Sequence, residues 1–173
     1  ATTSANSTIH LWDPNTGKEQ RTLSGDGSRV GGVTFSADGR RIATNLKDGT
    51  IRILDTDTGK TLQQLVGHEG AVVSVDFSSD GQLLASAGKD TTVRLWDTKT
   101  GKLTRTLSGH TAGVRVVTFD PKNRWLASSG WDNTIRIWDP ATGELLITLE
   151  HEVRPLDHPS CPLGKEEYVA PLP

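Results

Sequence analysis

The stretch that decides the fold is DNTIRIWDPATG, residues 132–143, because close copies of it recur along the chain. Residues 90–101 read DTTVRLWDTKTG, residues 48–59 read DGTIRILDTDTG, and residues 6–17 read NSTIHLWDPNTG. The spacing from each copy to the next is constant, and no insertion interrupts it. Such a repeat indicates one structural unit that is built four times and packs on its neighbours.

Each repeat is predicted to form β-strands. In the clearest copy, short alternating runs rich in Val, Leu, Thr and Trp are bounded by turn residues, and the four predicted strands are 72–77, 83–87, 92–96 and 103–107. The Asp-Gly pairs at 38–39, 48–49 and 80–81 suit turns in which glycine takes a positive φ. β-branched residues and glycines interrupt every window long enough for a helix, so the predicted fold class is all-β.

The repeated Trp-Asp, together with Gly-His at 67–68 and 109–110, resembles the WD-repeat β-propeller family. The resemblance implies blades of four antiparallel strands, in which the fourth strand of one blade opens the next sequence repeat. It predicts a propeller segment over 1–150, with a partial blade at 1–25 and full blades at about 29–66, 71–108 and 113–150. Propellers have about 4 to 8 blades, so one chain is expected to hold an incomplete ring.

The resemblance also implies a buried hydrogen-bond network of tryptophan, serine, histidine and aspartate within a blade. Its members recur at the repeat spacing and are His68, Ser86, Asp90, Trp96, His110, Ser128, Asp132 and Trp138. A catalytic triad is disfavoured, because the set repeats in two blades without a G-x-S-x-G turn in either. Each group would lose about 1–3 kcal/mol if it were buried without a partner, so the set should be kept or lost together.

The first full blade departs from this pattern. It has Asp26 in place of histidine, Thr44 in place of serine and Leu54 in place of tryptophan, whereas Asp48 is kept. With both ends of the network replaced, this blade is predicted to be held mainly by apolar packing.

Candidate partner-binding residues lie in the loops that form the blade tops in this family. They are Trp131, Arg115, Lys89, Lys47, Glu69 and Arg29. Trp131 is the preferred anchor, since it stands at a turn position that holds lysine in the other repeats and tryptophan is enriched at interface hot spots. The alternative is that Trp131 packs on an adjacent blade or on Arg115, and that the charged residues are ordinary solvated surface. Trp125 aligns with Leu83 and is predicted to have a packing role.

Residues 151–173 hold five of the eight prolines and no further strand motif, so this tail is predicted to be irregular chain or a linker. His151, His158 and Cys161 fall short of a zinc site, because no paired C-x-x-C or fourth ligand accompanies them. No G-x-x-x-x-G-K-[ST] phosphate-binding loop occurs. The sequence therefore predicts no cofactor, no metal and no catalytic residue.

The composition limits the classes of partner. A net charge of -2 with interspersed acidic and basic residues gives no basic field that would attract nucleic acid or an anionic membrane. No stretch approaches the roughly 20 apolar residues of a membrane span. The one cysteine cannot build an intramolecular disulfide framework, which favours a reducing compartment, and we expect a cytoplasmic protein.

Together these observations predict a non-enzymatic protein–protein interaction scaffold, part of a larger propeller protein, whose partners are other proteins or peptides. Two alternatives stay open at this point. Unpaired blade edges invite strand addition, so the chain could complete a ring as a homo-oligomer. The repeats could instead be the sensing or targeting domain of a signalling enzyme whose catalytic part lies outside this chain.

Overall fold

The structure is a computed structural model that describes residues 1–3, 8–24 and 30–150. Four antiparallel sheets follow one another along these ranges. Sheet 1 contains β1 (Thr2–Thr3), β2 (Thr8–Trp12) and β3 (Glu19–Ser24). Sheet 2 contains β4 (Val30–Phe35), β5 (Arg41–Leu46), β6 (Ile51–Asp55) and β7 (Thr61–Leu65). Sheet 3 contains β8 (Val72–Phe77), β9 (Leu83–Gly88), β10 (Val93–Asp97) and β11 (Leu103–Leu107). Sheet 4 contains β12 (Val114–Phe119), β13 (Leu126–Gly130), β14 (Thr134–Trp138) and β15 (Leu145–Glu150).

Every sheet is a meander in which consecutive strands pair, and no helix occurs within the described ranges. Sheets 2, 3 and 4 have four strands, and sheet 1 has three. The prediction of an all-β fold made of four-stranded antiparallel blades is confirmed. In the clearest repeat, the predicted strands agree with β8 to β11 within one residue at each end.

The turn after each Trp-Asp shows why glycine recurs there. In sheet 3 the Gly101 amide donates to the Asp97 carbonyl at 2.8 Å, and the Asp97 carboxylate accepts from the Thr100 amide at 2.7 Å. This turn requires Gly101 to take a φ of 71°, a left-handed conformation that costs other residues free energy. The equivalent glycines 17, 59 and 143 have φ values of 66°, 70° and 83°. The Asp-Gly glycines 39, 49 and 81 also have positive φ, as predicted.

The sheets stack face to face, with one apolar core between each neighbouring pair. Ile9, Leu11 and Leu23 of sheet 1 pack on Ile42 and Leu54 of sheet 2. The next two cores lie between sheets 2 and 3 and between sheets 3 and 4. No core cluster of the described residues joins sheet 4 back to sheet 1, so the stack is an incomplete propeller with two open ends.

Candidate interaction rim and its buried network

In sheet 3 the structure brings His68, Ser86, Asp90 and Trp96 together in one hydrogen-bonded chain. The Trp96 indole N–H donates to Ser86 Oγ at 2.8 Å, and His68 Nε2 lies 2.7 Å from the same oxygen. On the other side of the ring, His68 Nδ1 lies 2.8 Å from Asp90 Oδ2. Ser86 is fully buried and Trp96 is 2% exposed, so each polar atom depends on its neighbour in the chain.

The position of each proton in this network follows from the charges of its members. Burial alone would raise the pKa of Asp90, but the Glu69 amide, at 3.0 Å, and His68 donate to the carboxylate and hold its pKa below the usual range. The carboxylate is therefore ionised, so His68 Nδ1 carries a proton and donates it. Burial lowers the pKa of His68, which keeps the imidazole neutral, and Nε2 accepts the Ser86 hydroxyl proton.

Sheet 4 contains the same arrangement in the next repeat. The Trp138 indole N–H donates to Ser128 Oγ at 2.9 Å, and His110 Nε2 lies 2.8 Å from the same atom. His110 Nδ1 lies 2.8 Å from Asp132 Oδ2, which also accepts from the Thr111 amide at 2.9 Å. Burial would raise the pKa of Asp132, but the Thr111 amide and the Thr134 hydroxyl donate to the carboxylate and lower its pKa strongly.

The network joins the loop before the first strand of a sheet to the turn between its second and third strands. Asp90 accepts from the loop amide of Glu69 and from its own turn, through the Thr92 hydroxyl at 2.9 Å. Ser86 is inaccessible, and its hydroxyl is held between an indole and an imidazole, so no substrate carbonyl could reach it. This cluster positions loops and is not arranged as a nucleophile.

Glycine makes room for the histidine. A side chain at Gly130 would place its Cβ 2.8 Å from His110 Nδ1, and one at Gly88 would collide with His68 and Asp90. Leu46 stands in register with these two glycines in sheet 2 and is 1% exposed. A leucine at this position is incompatible with a histidine placed as His68 and His110 are in sheets 3 and 4.

Sheet 2 combines apolar packing on both of its faces with a polar connection of its own. Asn45 is 3% exposed; its Oδ1 accepts from the Gly32 amide at 2.8 Å, and its Nδ2 donates across to the Val72 carbonyl of sheet 3 at 2.6 Å. Thr44 donates to the Gly32 carbonyl at 2.9 Å instead of joining a histidine. Asp26 lies outside the described residues. A side chain at position 31 would collide with the Asn45 amide, which explains the glycine there.

Sheet 1 retains one bond of the network that sequence reasoning missed. The Trp12 indole donates to Thr2 Oγ1 at 2.9 Å, the same bond as Trp96 to Ser86. Thr2 occupies the position of Ser86 two repeats earlier in the chain, so the register itself was the available signal.

The turns and loops at this edge of sheets 2, 3 and 4 form a continuous rim, defined as turns 47–49, 89–91 and 131–133 with loops 68–71 and 110–113. A Cβ at Gly49 would lie 2.5 Å from the Gly70 carbonyl oxygen, so the turn of sheet 2 touches the loop of sheet 3. Lys89 donates its amide to the Ala71 carbonyl at 2.9 Å, and Trp131 donates its amide to the Gly113 carbonyl at 2.9 Å. Turn and loop therefore alternate in direct contact along the rim.

Trp131 lies at the sheet 4 end of this rim and is 49% exposed. Its ring lies over Gly113, where an added Cβ would be 2.7 Å from the ring carbons and 3.3 Å from Lys89 Cα. The Arg115 guanidinium lies 5.9 Å from the ring centroid, within the range of a cation–π contact. Trp131 thus contacts Arg115 and still offers half of its surface to solvent.

The other candidate rim residues are placed as follows. Lys47, Glu69, Lys89 and Arg115 are all exposed and lie on the rim or beside it. Arg29 lies outside the described residues, as do His151, His158 and Cys161 of the tail. Among the described residues no group of three or more His, Cys, Asp or Glu is arranged to hold a metal ion.

Trp125 differs from the expectation of a packing role. It is 46% exposed, and the Arg124 guanidinium lies 4.3 Å from its ring centroid. Its counterpart Leu83 packs on the core between sheets 3 and 4. Trp125 occupies the same position on sheet 4, where no further sheet of the described residues packs on it.

One depression of about 390 Å³ adjoins the rim in sheet 4. Its lining residues are Thr111, Asp132, Asn133, Thr134, Arg136 and Glu150. Small-molecule sites are lined mainly by apolar and aromatic side chains, which this depression lacks. Within the described ranges no helix has the length and apolar character needed to cross a bilayer.

A comparison with protein families places three repeats on the chain. The family model described as WD domain, G-beta repeat matches residues 17–55, 59–97 and 101–139, more than half of the sequence. Each match begins at a turn glycine and ends at the aspartate at or directly after the end of a strand, so it contains the last strand of one sheet followed by the first three strands of the next. No curated protein matches the chain.

Proposed function

Because the chain belongs to the WD40-repeat family, whose domains serve as protein-interaction scaffolds, we propose that it is a non-enzymatic scaffold that binds proteins or peptides at its rim. Fold alone does not assign a function, so the proposal depends on the site. The observation that carries it is the half-exposed Trp131, which lies within cation–π range of Arg115 and over Gly113, the glycine that also approaches Lys89.

The physical chemistry of this site suits recognition of a polypeptide. An indole that is already held by Arg115 and Gly113 loses little conformational freedom when a partner covers it. The surrounding cationic side chains supply hydrogen-bond donors to backbone carbonyls or carboxylates. The charge balance and the single cysteine support a cytoplasmic location and make nucleic acid an unsuitable partner.

The test is quantitative affinity capture with the wild-type chain and Trp131→Ala. We expect Trp131→Ala to bind the captured partner at least tenfold more weakly than wild type, which corresponds to a loss of binding free energy of about 1.4 kcal/mol or more. Leu62→Ala is the matched control, because Leu62 is 48% exposed and lies on β7, away from the rim. Equal capture by wild type and Trp131→Ala would remove Trp131 as the anchor, and capture lost equally in both variants would point to misfolding.

A further inference from the structure

The two ends of the sheet stack expose apolar side chains. On sheet 4, the exposed apolar residues that share the outward face are Val116, Trp125, Ile135, Ile147 and Leu149. Ile135 pairs directly with Leu149, and Ile137 with Ile147, so these side chains form one patch. Exposed apolar surface of this extent commonly marks an interface.

The inner sheets show what normally covers this face. Val93 and Leu107 of sheet 3 stand in register with Ile135 and Leu149, and they are 0% and 3% exposed because sheet 4 packs on them. Ile135 and Leu149 are 43% and 53% exposed. The sheet 4 face is therefore built to receive another sheet of the same repeat.

The opposite end exposes the complementary residues. Trp96 and Trp138 pack on the sheet that precedes each of them, and both are 2% exposed. Trp12, in the same register on sheet 1, is 44% exposed. Among the described residues, sheet 1 thus presents the surface that sheets 3 and 4 bury, without a sheet to receive it.

A leucine-to-glycine contact recurs at each interface between the described sheets. Cβ atoms placed on the turn glycines 59, 101 and 143 would lie 3.0, 3.5 and 3.3 Å from the Cδ2 atoms of leucines 23, 65 and 107 of the preceding sheet. Leu149 is the next leucine in this series and meets no glycine among the described residues. Gly17 is the first glycine of the series, and no atom lies within 4 Å of its Cβ position.

We propose that sheet 4 of one copy packs on sheet 1 of a second copy, so that Leu149 meets the partner's Gly17 and Trp12 is covered. The contact is head-to-tail, and such contacts close into a ring when the rotation between subunits allows it. The described residues of each copy supply four sheets, so these residues of two copies give eight, within the range of about 4 to 8 blades, whereas those of three copies exceed it. The assembly is therefore a dimer.

A face-to-face dimer of two sheet 4 surfaces fits the structure less well. It would leave Leu149 without a turn glycine, because Gly143 of the same sheet already receives Leu107, whereas the three internal interfaces place leucine against glycine. It would also leave Trp12 and Gly17 uncovered in both copies.

The test is the native mass of the full chain, by mass spectrometry and sedimentation equilibrium. Wild type is expected at twice the chain mass of 18.6 kDa. Leu149→Glu and Trp12→Glu should each be monomeric at the concentration at which wild type is dimeric, because a carboxylate would be buried without a partner. Leu146→Glu is the matched control and should stay dimeric, since Leu146 is 48% exposed on the same strand but lies at its register shift, outside the paired patch of Ile135, Ile147 and Leu149.

An equimolar mixture of Leu149→Glu and Trp12→Glu separates a lost interface from misfolding. The mixture retains one intact pair of ends and should form a dimer again, which misfolded chains could not do. A monomeric wild-type chain, or a dimeric Trp12→Glu variant, would overturn the proposal. A monomer that dimerises only after residues 151–173 are removed would also overturn it, because the tail would then be the occupant of the sheet 4 face.

Discussion

At the scale of single residues, the serine, the histidine and the aspartate of each network act as a clamp, which holds the loop before the first strand to the turn between the second and third strands. With a neutral histidine, the indole donates to the hydroxyl, the hydroxyl donates to the imidazole and the imidazole donates to the carboxylate. Each of these buried groups therefore has a hydrogen-bond partner. A protonated His68 would present N–H groups to both neighbours, and the Ser86 hydroxyl would have only the Arg94 carbonyl at 3.5 Å as an acceptor. The clamp therefore has a preferred protonation state.

This preference predicts that acid weakens the fold through His68. Burial lowers the pKa of His68 in the folded chain. Below about pH 6.5, His68 therefore binds a proton in the unfolded chain before it does so in the folded chain. The contribution of His68 to the free energy of unfolding is complete above pH 6.5. It falls with decreasing pH, by at most about 1.4 kcal/mol per pH unit for one proton. Asp90 and Asp132, whose pKa values are also lowered, lose their contributions only below about pH 3.8.

Urea unfolding of wild type and His68→Asn between pH 8 and pH 5 measures this effect. Asparagine does not titrate, so the variant should be less stable at pH 8 and should lose less stability on acidification. Other histidines contribute equally to both proteins and cancel in the difference. Parallel pH profiles for the two proteins would contradict the assignment of a neutral His68.

The residues that sequence could predict are those that repeat. The eight network residues recur at the spacing of the repeat, and the structure brings each set of four together. Thr2 and Asn45 were missed for different physical reasons. Thr2 substitutes a hydroxyl for a hydroxyl near the start of the chain. Asn45 stands where the next two repeats have Ala87 and Ser129, so the repeat pattern gives no signal for its bond to the Val72 carbonyl.

At the scale of strands and turns, alternation and turn residues were enough to place strands, but not their bulges. The last two strands of every sheet shift register at the same point of the repeat, for example between Leu95 and Trp96 in sheet 3 and between Ile137 and Trp138 in sheet 4. A bulge adds local twist and depends on how two strands pair, which a period-two pattern does not encode.

Two turn glycines with positive φ are predicted to respond differently to alanine. Gly39, with φ of 68°, has no atom within 4 Å of its Cβ position, so Gly39→Ala should cost only the left-handed strain of about 1–2 kcal/mol. At Gly49, with φ of 89°, a Cβ would lie 2.5 Å from the Gly70 carbonyl oxygen, and backbone of two sheets would have to separate. Gly49→Ala should therefore cost clearly more in thermal or urea unfolding. Equal losses in the two variants would show that the rim contact between sheets 2 and 3 is looser than the structure has it.

At the scale of the whole molecule, the repeat predicted stacked sheets and an unclosed ring. Which side chains are exposed at the two open ends could be read only from the structure. Sequence places Trp12 and Leu149 in register with buried residues, and only the stack shows that both are uncovered at its ends. For the same reason Trp125 was expected to pack. Its register was correctly equated with Leu83, but the sheet that would cover it is absent from the described stack.

Association through these ends predicts that thermal stability depends on protein concentration. A second copy binds only the folded chain, and such binding adds about 2.7 kcal/mol when the partner is at 100 times its dissociation constant. The wild-type Tm should therefore rise over a hundredfold increase in concentration. The Tm of Trp12→Glu should stay constant, because its sheet 1 cannot pack on sheet 4 of a second copy. Leu146→Glu should follow wild type, which separates the effect of the interface from that of an added charge. Differential scanning calorimetry at several concentrations measures all three, and a wild-type Tm that does not change with concentration would contradict the dimer.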